Sequence, residues 1–219
     1  VAWTHLGSED YHIRYAARIA IEWQNPKFWA LKAYSEKNDL AAIHALLGLA
    51  RSDYDNSLKP SVERLLKVNF QDLDKSGQLA ILRTYSVFMR RNGLPEEKQV
   101  HAIGEQLDPF FPSKDNNLNE ELCRVLCYLD HPSAVQKTIA LMKTTKAMIP
   151  DFNTDIMKRN KHYGSRILSS MNADATPNIL NIHLLFCLKG VQAGWTMKDR
   201  KAYLGELQTL MTKKGGNMF

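Results

Sequence analysis

Three residues of the chain are of types that bind metal ions and recur at helical spacing. Cys123, Cys127 and His131 follow each other at intervals of four, so on one helix they would share a face. A zinc site needs a fourth ligand and usually a closer cysteine spacing, and these two cysteines flank a stripe of leucines. We therefore predict that both cysteines are small core residues. No Cys-x-x-Cys-His sequence occurs, which excludes covalent attachment of a c-type haem within these residues.

A second group of residues could contact a partner through charge. Five basic residues lie close together along the chain, with Tyr163 among them: Lys158, Arg159, Lys161, His162 and Arg166. Such a cluster can bind an acidic surface, but a run of charges is also typical of the solvated face of a helix. We take these five residues as the candidate interaction surface, and the solvated face stays the simpler alternative.

None of the common catalytic or nucleotide-binding motifs occurs in the sequence. There is no His-Glu-x-x-His, Gly-x-Ser-x-Gly, Gly-x-Gly-x-x-Gly or Walker sequence. The seven histidines are dispersed, and His44 and His183 are expected to be partly buried within helices. We predict that these residues form no enzyme active site, with no catalytic residue, no cofactor-binding residue and no metal ligand.

The overall charge permits an acidic partner without specifying one. The chain carries 29 Lys and Arg against 23 Asp and Glu, which gives a formal net charge of +6 and a pI of about 9.2. The positive charges are scattered along the sequence, whereas a nucleic-acid footprint needs them on one face with aromatic residues between them. No apolar run approaches the length of a membrane span. We therefore expect neither nucleic-acid binding nor membrane insertion.

The elements that position these residues are predicted to be helices. The first, Asp10–Gln24, is expected to pack closely on a neighbouring helix through a small apolar stripe. This stripe recurs at helical spacing and consists of Ile13, Ala16, Ala17, Ala20 and Ile21. Asp10 also lies four residues before Arg14, the order that favours a helical ion pair.

Further helices follow along the whole chain. Asp39, Asp74 and Thr196 have the positions of helix N-caps, and Gly93 has the position of a residue that ends a helix. No segment alternates with period two for long enough to predict a strand. We predict an all-α fold, a right-handed α-solenoid (α-α superhelix) of about five HEAT/armadillo-like helical hairpins. Residues 1–219 are expected to form a single HEAT-like domain.

Four stretches of the chain resemble one protein family. Three of them are residues 119–142, Arg159–Met171 and Gly194–Phe219, the last of which begins Gly-Trp-Thr and ends on Gly215, Gly216, Asn217 and Phe219. Together with the opening Ile-Arg-Tyr-Ala-Ala-Arg stretch, they resemble the HEAT-like region of large multidomain secreted proteins of environmental bacteria. In that family a glucose/sorbosone-dehydrogenase-like β-propeller precedes the helical region, and a c-type cytochrome domain follows it.

The resemblance implies a context rather than an activity. The chain is expected to be a segment of a longer multidomain protein, periplasmic or secreted, in which electrons pass to haem c in a neighbouring domain. Its expected partners are the flanking domains of the same chain, with another protein as a further candidate. The family's haem-attaching cysteines and propeller residues lie outside these 219 residues, so the resemblance assigns no role to any residue here.

Three hypotheses for the function follow. The leading one is a non-catalytic HEAT-like scaffold or protein-interaction module that positions neighbouring domains, with its binding surface on the second helix of each hairpin. The first alternative is that the segment contributes to a substrate or electron-transfer site of the oxidoreductase. The second alternative, suggested by the basic pI, is a HEAT-like nucleic-acid-binding protein.

Overall fold

The computed structural model of the chain describes residues 1–52, 54–146, 159, 164 and 177–213, and every regular element in them is a helix. The predicted all-α class is confirmed. None of the described helices is long and apolar enough to cross a membrane. The contacts divide the chain into two compact units, unit 1 (Val1–Leu129) and unit 2 (Asp130–Phe219). The single domain over residues 1–219 stays a prediction.

Unit 1 consists of two rows of helices. Its described α-helices are α1 (Tyr11–Glu22), α2 (Ala30–Ser35), α3 (Asp39–Arg51), α4 (Leu58–Leu65), α5 (Lys75–Asn92), α6 (Glu97–Leu107) and α7 (Asn116–Tyr128). Short 3₁₀-helices lie at Ala2–His5, Pro26–Phe28, Phe70–Asp72 and Asp108–Phe110. Helices α1, α3, α5 and α7 pack in succession, and α2, α4 and α6 pack against α3, α5 and α7. The helices therefore pair as α2/α3, α4/α5 and α6/α7, with α1 at one end of the first row.

Local polar contacts determine where these helices begin and end. Asp74 caps α5, and its Oδ1 accepts a hydrogen bond from the Gly77 N–H at 2.8 Å. The same helix ends at Gly93, whose φ of 80° suits glycine. Helix α3 is capped one residue earlier than predicted, because the Asn38 side chain and not that of Asp39 accepts the hydrogen bond from Ala41 N–H.

Helix α1 is rotated relative to the prediction. Of the predicted apolar stripe, Ala17 and Ile21 are buried. The other three stripe residues are exposed: Ile13, Ala16 and Ala20. The buried side of α1 carries Arg14 and Arg18, which are only 4% and 8% exposed. The predicted stripe is therefore wrong in three of its five members, because the long aliphatic stems of the two arginines take their place against the neighbouring helices.

The core of unit 1 lies between the two rows of helices. Tyr85 and Phe88 on α5 are among its largest fully buried side chains. The Tyr85 hydroxyl donates a hydrogen bond to Gln106 Oε1 at 2.7 Å. The Gln106 amide in turn donates to the backbone carbonyls of Leu65 and Val68 at 3.1 and 2.9 Å. These bonds satisfy the polar groups that α4, α5 and α6 bring into the core.

Unit 2 contains three described α-helices that all contact one another. They are α8 (Ala134–Thr144), α9 (Ile179–Leu188) and α10 (Met197–Met211). Asn181 on α9 is buried, and its amide donates hydrogen bonds to the Met142 carbonyl at 3.2 Å and to Glu206 Oε1 at 2.7 Å. One side chain therefore connects all three helices.

Candidate functional site

The predicted interaction surface lies mostly outside the described residues. This is the case for Lys158, Lys161, His162 and Arg166. Arg159 is described, and it is an exposed helical residue. The five-residue surface therefore stays a prediction.

The two cysteines that lie four residues apart in the sequence pack in the core of unit 1. Cys123 and Cys127 on α7 are buried, as predicted, and their Sγ atoms are 3.7 Å apart. His131 belongs to unit 2, where its Nδ1 lies 3.0 Å from the Ser133 hydroxyl. Among the described residues there is no group of three or more His, Cys, Asp or Glu side chains that could hold a metal ion.

The most distinctive polar feature of unit 1 is a groove between α1, α3 and α5, which we call the arginine groove. Its volume is about 360 Å³. It is lined by Tyr11, Arg14, Tyr15 and Arg18 of α1, by His44, Leu47 and Arg51 of α3, and by Ser76, Leu79, Ala80 and Arg83 of α5. The groove thus combines four guanidinium groups with a histidine, two tyrosines and a small apolar floor.

Arg14 brings a buried positive charge to the groove and forms no ion pair among the described residues. Its guanidinium donates hydrogen bonds to the carbonyls of Ser8 and Glu9 at 2.5 and 3.2 Å and to the Ser76 hydroxyl at 2.9 Å. All three acceptors are neutral, and the buried Nε–H of Arg14 has no acceptor in the described structure. The ion pair predicted with Asp10 is replaced by these bonds, since the Asp10 carboxylate caps α1. A buried charge without a counter-charge is costly, so Arg14 favours an anion in the groove.

Arg18 and Arg51 share a single carboxylate. Arg18 Nη1 contacts Glu22 Oε1, and Arg51 Nε lies 3.1 Å from Glu22 Oε2. Glycine at position 48 makes room for this carboxylate, because a Cβ there would lie 3.2 Å from the Glu22 Cγ. Two guanidinium groups and one carboxylate leave a net positive charge at this end of the groove.

Replacing Glu22 by glutamine is expected to lower the free energy of unfolding by about 2 kcal/mol, because buried Arg18 loses its anion. The Glu22 side chain is 14% exposed and that of Arg18 10%. Urea denaturation measures the change. Glu121→Gln is the matched control: its partner Arg124 is 41% exposed, so we expect a loss below about 0.5 kcal/mol. Equal losses in the two variants would contradict a buried Arg18–Glu22 ion pair.

His44 lies in the groove as a buried neutral imidazole. His44 is 8% exposed, and neither ring nitrogen has a hydrogen-bond partner in the described structure. Burial, followed by the charges of Arg14 and Arg18, lowers the pKa of His44 to about 4. A neutral imidazole has one N–H donor and one acceptor nitrogen, and both are buried without a partner among the described residues.

Two tyrosines form an aromatic rim beside these charges. Tyr11 and Tyr15 are 60% and 47% exposed, and their rings are stacked with centroids 6.2 Å apart and an interplanar angle of 25°. The Arg18 guanidinium lies 5.0 Å from the centroid of the Tyr15 ring. Flat rings are therefore presented to solvent next to guanidinium groups.

A second groove continues the positive surface across α5 and α7. It has a volume of about 400 Å³ and is lined by Arg83, Ser86, Val87, Met89, Arg90, Arg91, Arg124, Val125 and Tyr128. Arg83 lines both grooves, is exposed, and makes no ion pair or hydrogen bond among the described residues. We call the two grooves together the arginine face. Among the described residues it contains seven arginines from four helices: Arg14, Arg18, Arg51, Arg83, Arg90, Arg91 and Arg124.

The sequence carried a signal for this face that the apolar stripe obscured. Arg14 and Arg18 are four residues apart, and so are Tyr11 and Tyr15, so each pair shares a side of α1. Like-charged residues one turn apart on a helix repel each other, so burying both destabilises the fold unless an anion compensates their charge. The remaining arginines are widely separated in sequence, and only the fold brings them together.

Known proteins give no further indication of the site. Neither the protein-family models, nor the curated proteins, nor the solved structures include a match to this chain.

Proposed function

We propose that this chain is a non-catalytic helical binding module whose unit 1 binds an anionic polymer on the arginine face. The observation that carries the proposal is the arginine groove, in which two of the four guanidinium groups, those of Arg18 and Arg51, share one carboxylate. Buried charges without partners destabilise a fold unless a ligand compensates them. A negatively charged ligand in the groove supplies a counter-charge to the buried Arg14.

The extent of the face favours a polymer over a single small anion. Its two grooves meet at Arg83 and follow α1, α3, α5 and α7. Arg83 and Arg90 lie seven residues apart, two turns along the same side of α5. A chain with repeated negative charges can contact several of these guanidinium groups at once.

The proposed architecture is the predicted α-solenoid of about five HEAT/armadillo-like hairpins. The pairs α2/α3, α4/α5 and α6/α7 of unit 1 support it, because each later helix packs on the previous pair. In such repeats the second helices of the pairs line the binding surface. The arginine face is formed in unit 1 by α3, α5 and α7, the second helices of these pairs, together with α1.

We further propose that the module positions the flanking domains of a longer, exported chain. The resemblance to propeller and c-type cytochrome proteins supports this role, and haem c belongs to a neighbouring domain in that context. The first alternative, a contribution to a substrate or electron-transfer site, stays a proposal on the same resemblance. The nucleic-acid alternative has separate support from the arginine face.

Heparin chromatography of the whole chain tests the binding module. We expect Arg83→Glu to elute from a heparin column at lower salt than Lys98→Glu, although the two variants have the same net charge. Lys98 is an exposed residue of α6 that lines neither groove, so its reversal changes only the overall charge. Salt screens the effect of net charge equally in the two variants, but Arg83→Glu also loses a contact in the groove.

Identical elution of the two variants would overturn the proposal, since the affinity for heparin would then follow net charge alone. Circular dichroism of both variants checks that the helical fold is retained.

A further inference from the structure

We propose that the ligand of the arginine face is a single-stranded nucleic acid, with its phosphates on the arginines and its bases stacked on Tyr11 and Tyr15. This inference rests on the proposed binding of an anionic polymer and names the chemical class of that polymer. The sequence alone favoured no nucleic acid, because its positive charges are scattered. In the fold, arginines between positions 14 and 124 line two grooves that meet at Arg83.

The guanidinium groups match the phosphates of such a strand. Arginine binds phosphate oxygens with several N–H donors in a fixed fork, and each contact releases counterions from the nucleic acid. Arg83 is exposed and has no partner in the described structure, so it can form this contact without breaking another. Arg14 lies deeper, and its buried positive charge attracts a phosphate that lies above it in the groove.

The tyrosine rim distinguishes a nucleic acid from an acidic peptide. Tyr11 and Tyr15 are exposed rings in the same groove as the arginines. Successive bases stack on such rings whatever their sequence, and each stacked base contributes about 1–3 kcal/mol. A chain of glutamates brings charge but no ring to this rim. Arginines interleaved with aromatic side chains are the combination that single-strand binding surfaces use.

The depth of the groove favours a single strand over a duplex. His44 and Arg14 line the groove and are only 8% and 4% exposed, whereas Tyr11 and Tyr15 are exposed residues of the same groove. A flexible strand can follow such a groove with its phosphates and unpaired bases turned toward it. The phosphates of a duplex are held on the outside of a stiff helix, and its bases are already paired and stacked.

Fluorescence anisotropy with the whole chain tests this inference. The probes are a fluorescein-labelled oligothymidylate of about 15 nucleotides and a duplex of the same length. We expect the single strand to bind more tightly than the duplex. Tyr15→Ala should weaken its binding about tenfold, while Tyr15→Phe, which keeps the ring, should bind like the native protein.

The salt dependence provides a second readout. Arg83→Ala is expected to reduce the slope of log K against log salt by about 0.7, the contribution of one phosphate contact on a single strand. Lys98→Ala removes an equal charge outside both grooves, and it should leave affinity and slope almost unchanged. Tyr15 and Arg83 are exposed, so neither substitution opens the core, and circular dichroism checks each variant.

Three results would overturn the inference: no binding of the oligothymidylate at about 50 mM salt, equal or tighter binding of the duplex, or native affinity in Tyr15→Ala. Binding of a polyglutamate peptide as tight as that of the oligothymidylate would overturn it too. If any of these occurs while heparin still separates Arg83→Glu from Lys98→Glu, the binding module stands and only the nucleic acid is wrong. If heparin does not separate these variants, the binding module itself is wrong.

Discussion

Replacing Gly194 by alanine is expected to destabilise unit 2 by about 3 kcal/mol or more. Gly194 has a φ of +76°, a left-handed conformation that costs an L-residue with a Cβ about 1–2 kcal/mol. A Cβ at this position would also lie 2.3 Å from the backbone oxygen of Pro132. Backbone on both sides of this contact must shift, because no flexible side chain can move out of the way.

Several contacts in unit 2 depend on the turn that contains Gly194. The Asp130 carboxylate accepts hydrogen bonds from the backbone N–H groups of Gln192 and Ala193 at 2.8 and 2.9 Å. The Trp195 indole N–H donates to the Val191 carbonyl at 2.8 Å. Thr196 then starts α10 with a capping box. A shifted backbone at Gly194 therefore disturbs the start of α10 as well as the turn.

Amide hydrogen exchange followed by mass spectrometry measures the effect in unit 2 separately from unit 1. We expect faster exchange in Gly194→Ala throughout Ala134–Thr144 and Met197–Met211, with little change in α3 and α5. Gly205→Ala is the matched control. Its Cβ would meet no atom within 4 Å, and alanine favours a helix over glycine by about 1 kcal/mol. Native exchange rates in Gly194→Ala would contradict the proposed strain.

The fold class and the starts of α5 and α10 could be predicted because they depend on local chemistry. A cap acts over three or four residues, as at Asp74 and Thr196, whose side chains accept hydrogen bonds from the backbone as predicted. The end of α5 at Gly93 follows from glycine's tolerance of positive φ. The predicted cap at Asp39 is wrong by one residue, because asparagine and aspartate both suit an N-cap and Asn38 directly precedes Asp39.

The arginine face could not be predicted from the same rules because it depends on contacts between helices. Hydrophobic periodicity predicts that the alanines of α1 are buried and its arginines exposed, so the predicted side of the helix is only partly the buried one. Neighbouring helices decide which side is buried. Gly48 on α3 gives Glu22 the room to pair with Arg18, and Ser76 on α5 accepts a hydrogen bond from Arg14. These partners lie tens of residues away in sequence.

His44 is expected to make the protein lose about 3 kcal/mol of stability as the pH falls from 6.5 toward 4. Burial and the charges of Arg14 and Arg18 lower its folded pKa from 6.5 to about 4. Between these two values the unfolded chain binds a proton that the folded protein excludes. This contribution to stability is therefore complete above pH 6.5 and is lost as the pH falls through the folded pKa.

Urea denaturation at several pH values between 7 and 4 isolates this effect when the native protein is compared with His44→Leu. Carboxylates titrate in the same range, but they contribute to both proteins, so the difference between the two curves belongs to His44. Because neither ring nitrogen has a partner in the described structure, His44→Leu should be at least as stable as the native protein at pH 7. His101→Leu, at an exposed position, is the control for replacing a histidine by leucine as such.

The same titration connects the stability of His44 to the arginine groove. The charged groups that line the groove with His44 are Arg14, Arg18, Arg51 and Arg83, and the charges of Arg14 and Arg18 disfavour a further positive charge on the imidazole. A bound polyanion reverses this field, so we expect heparin to raise the pKa of His44, which nuclear magnetic resonance of its imidazole protons measures directly. Arg83→Glu should reduce the rise. If saturating heparin leaves the pKa of His44 unchanged, the bound polymer lies outside the groove. If the stabilities of the native protein and His44→Leu depend on pH in the same way, His44 is not buried as described.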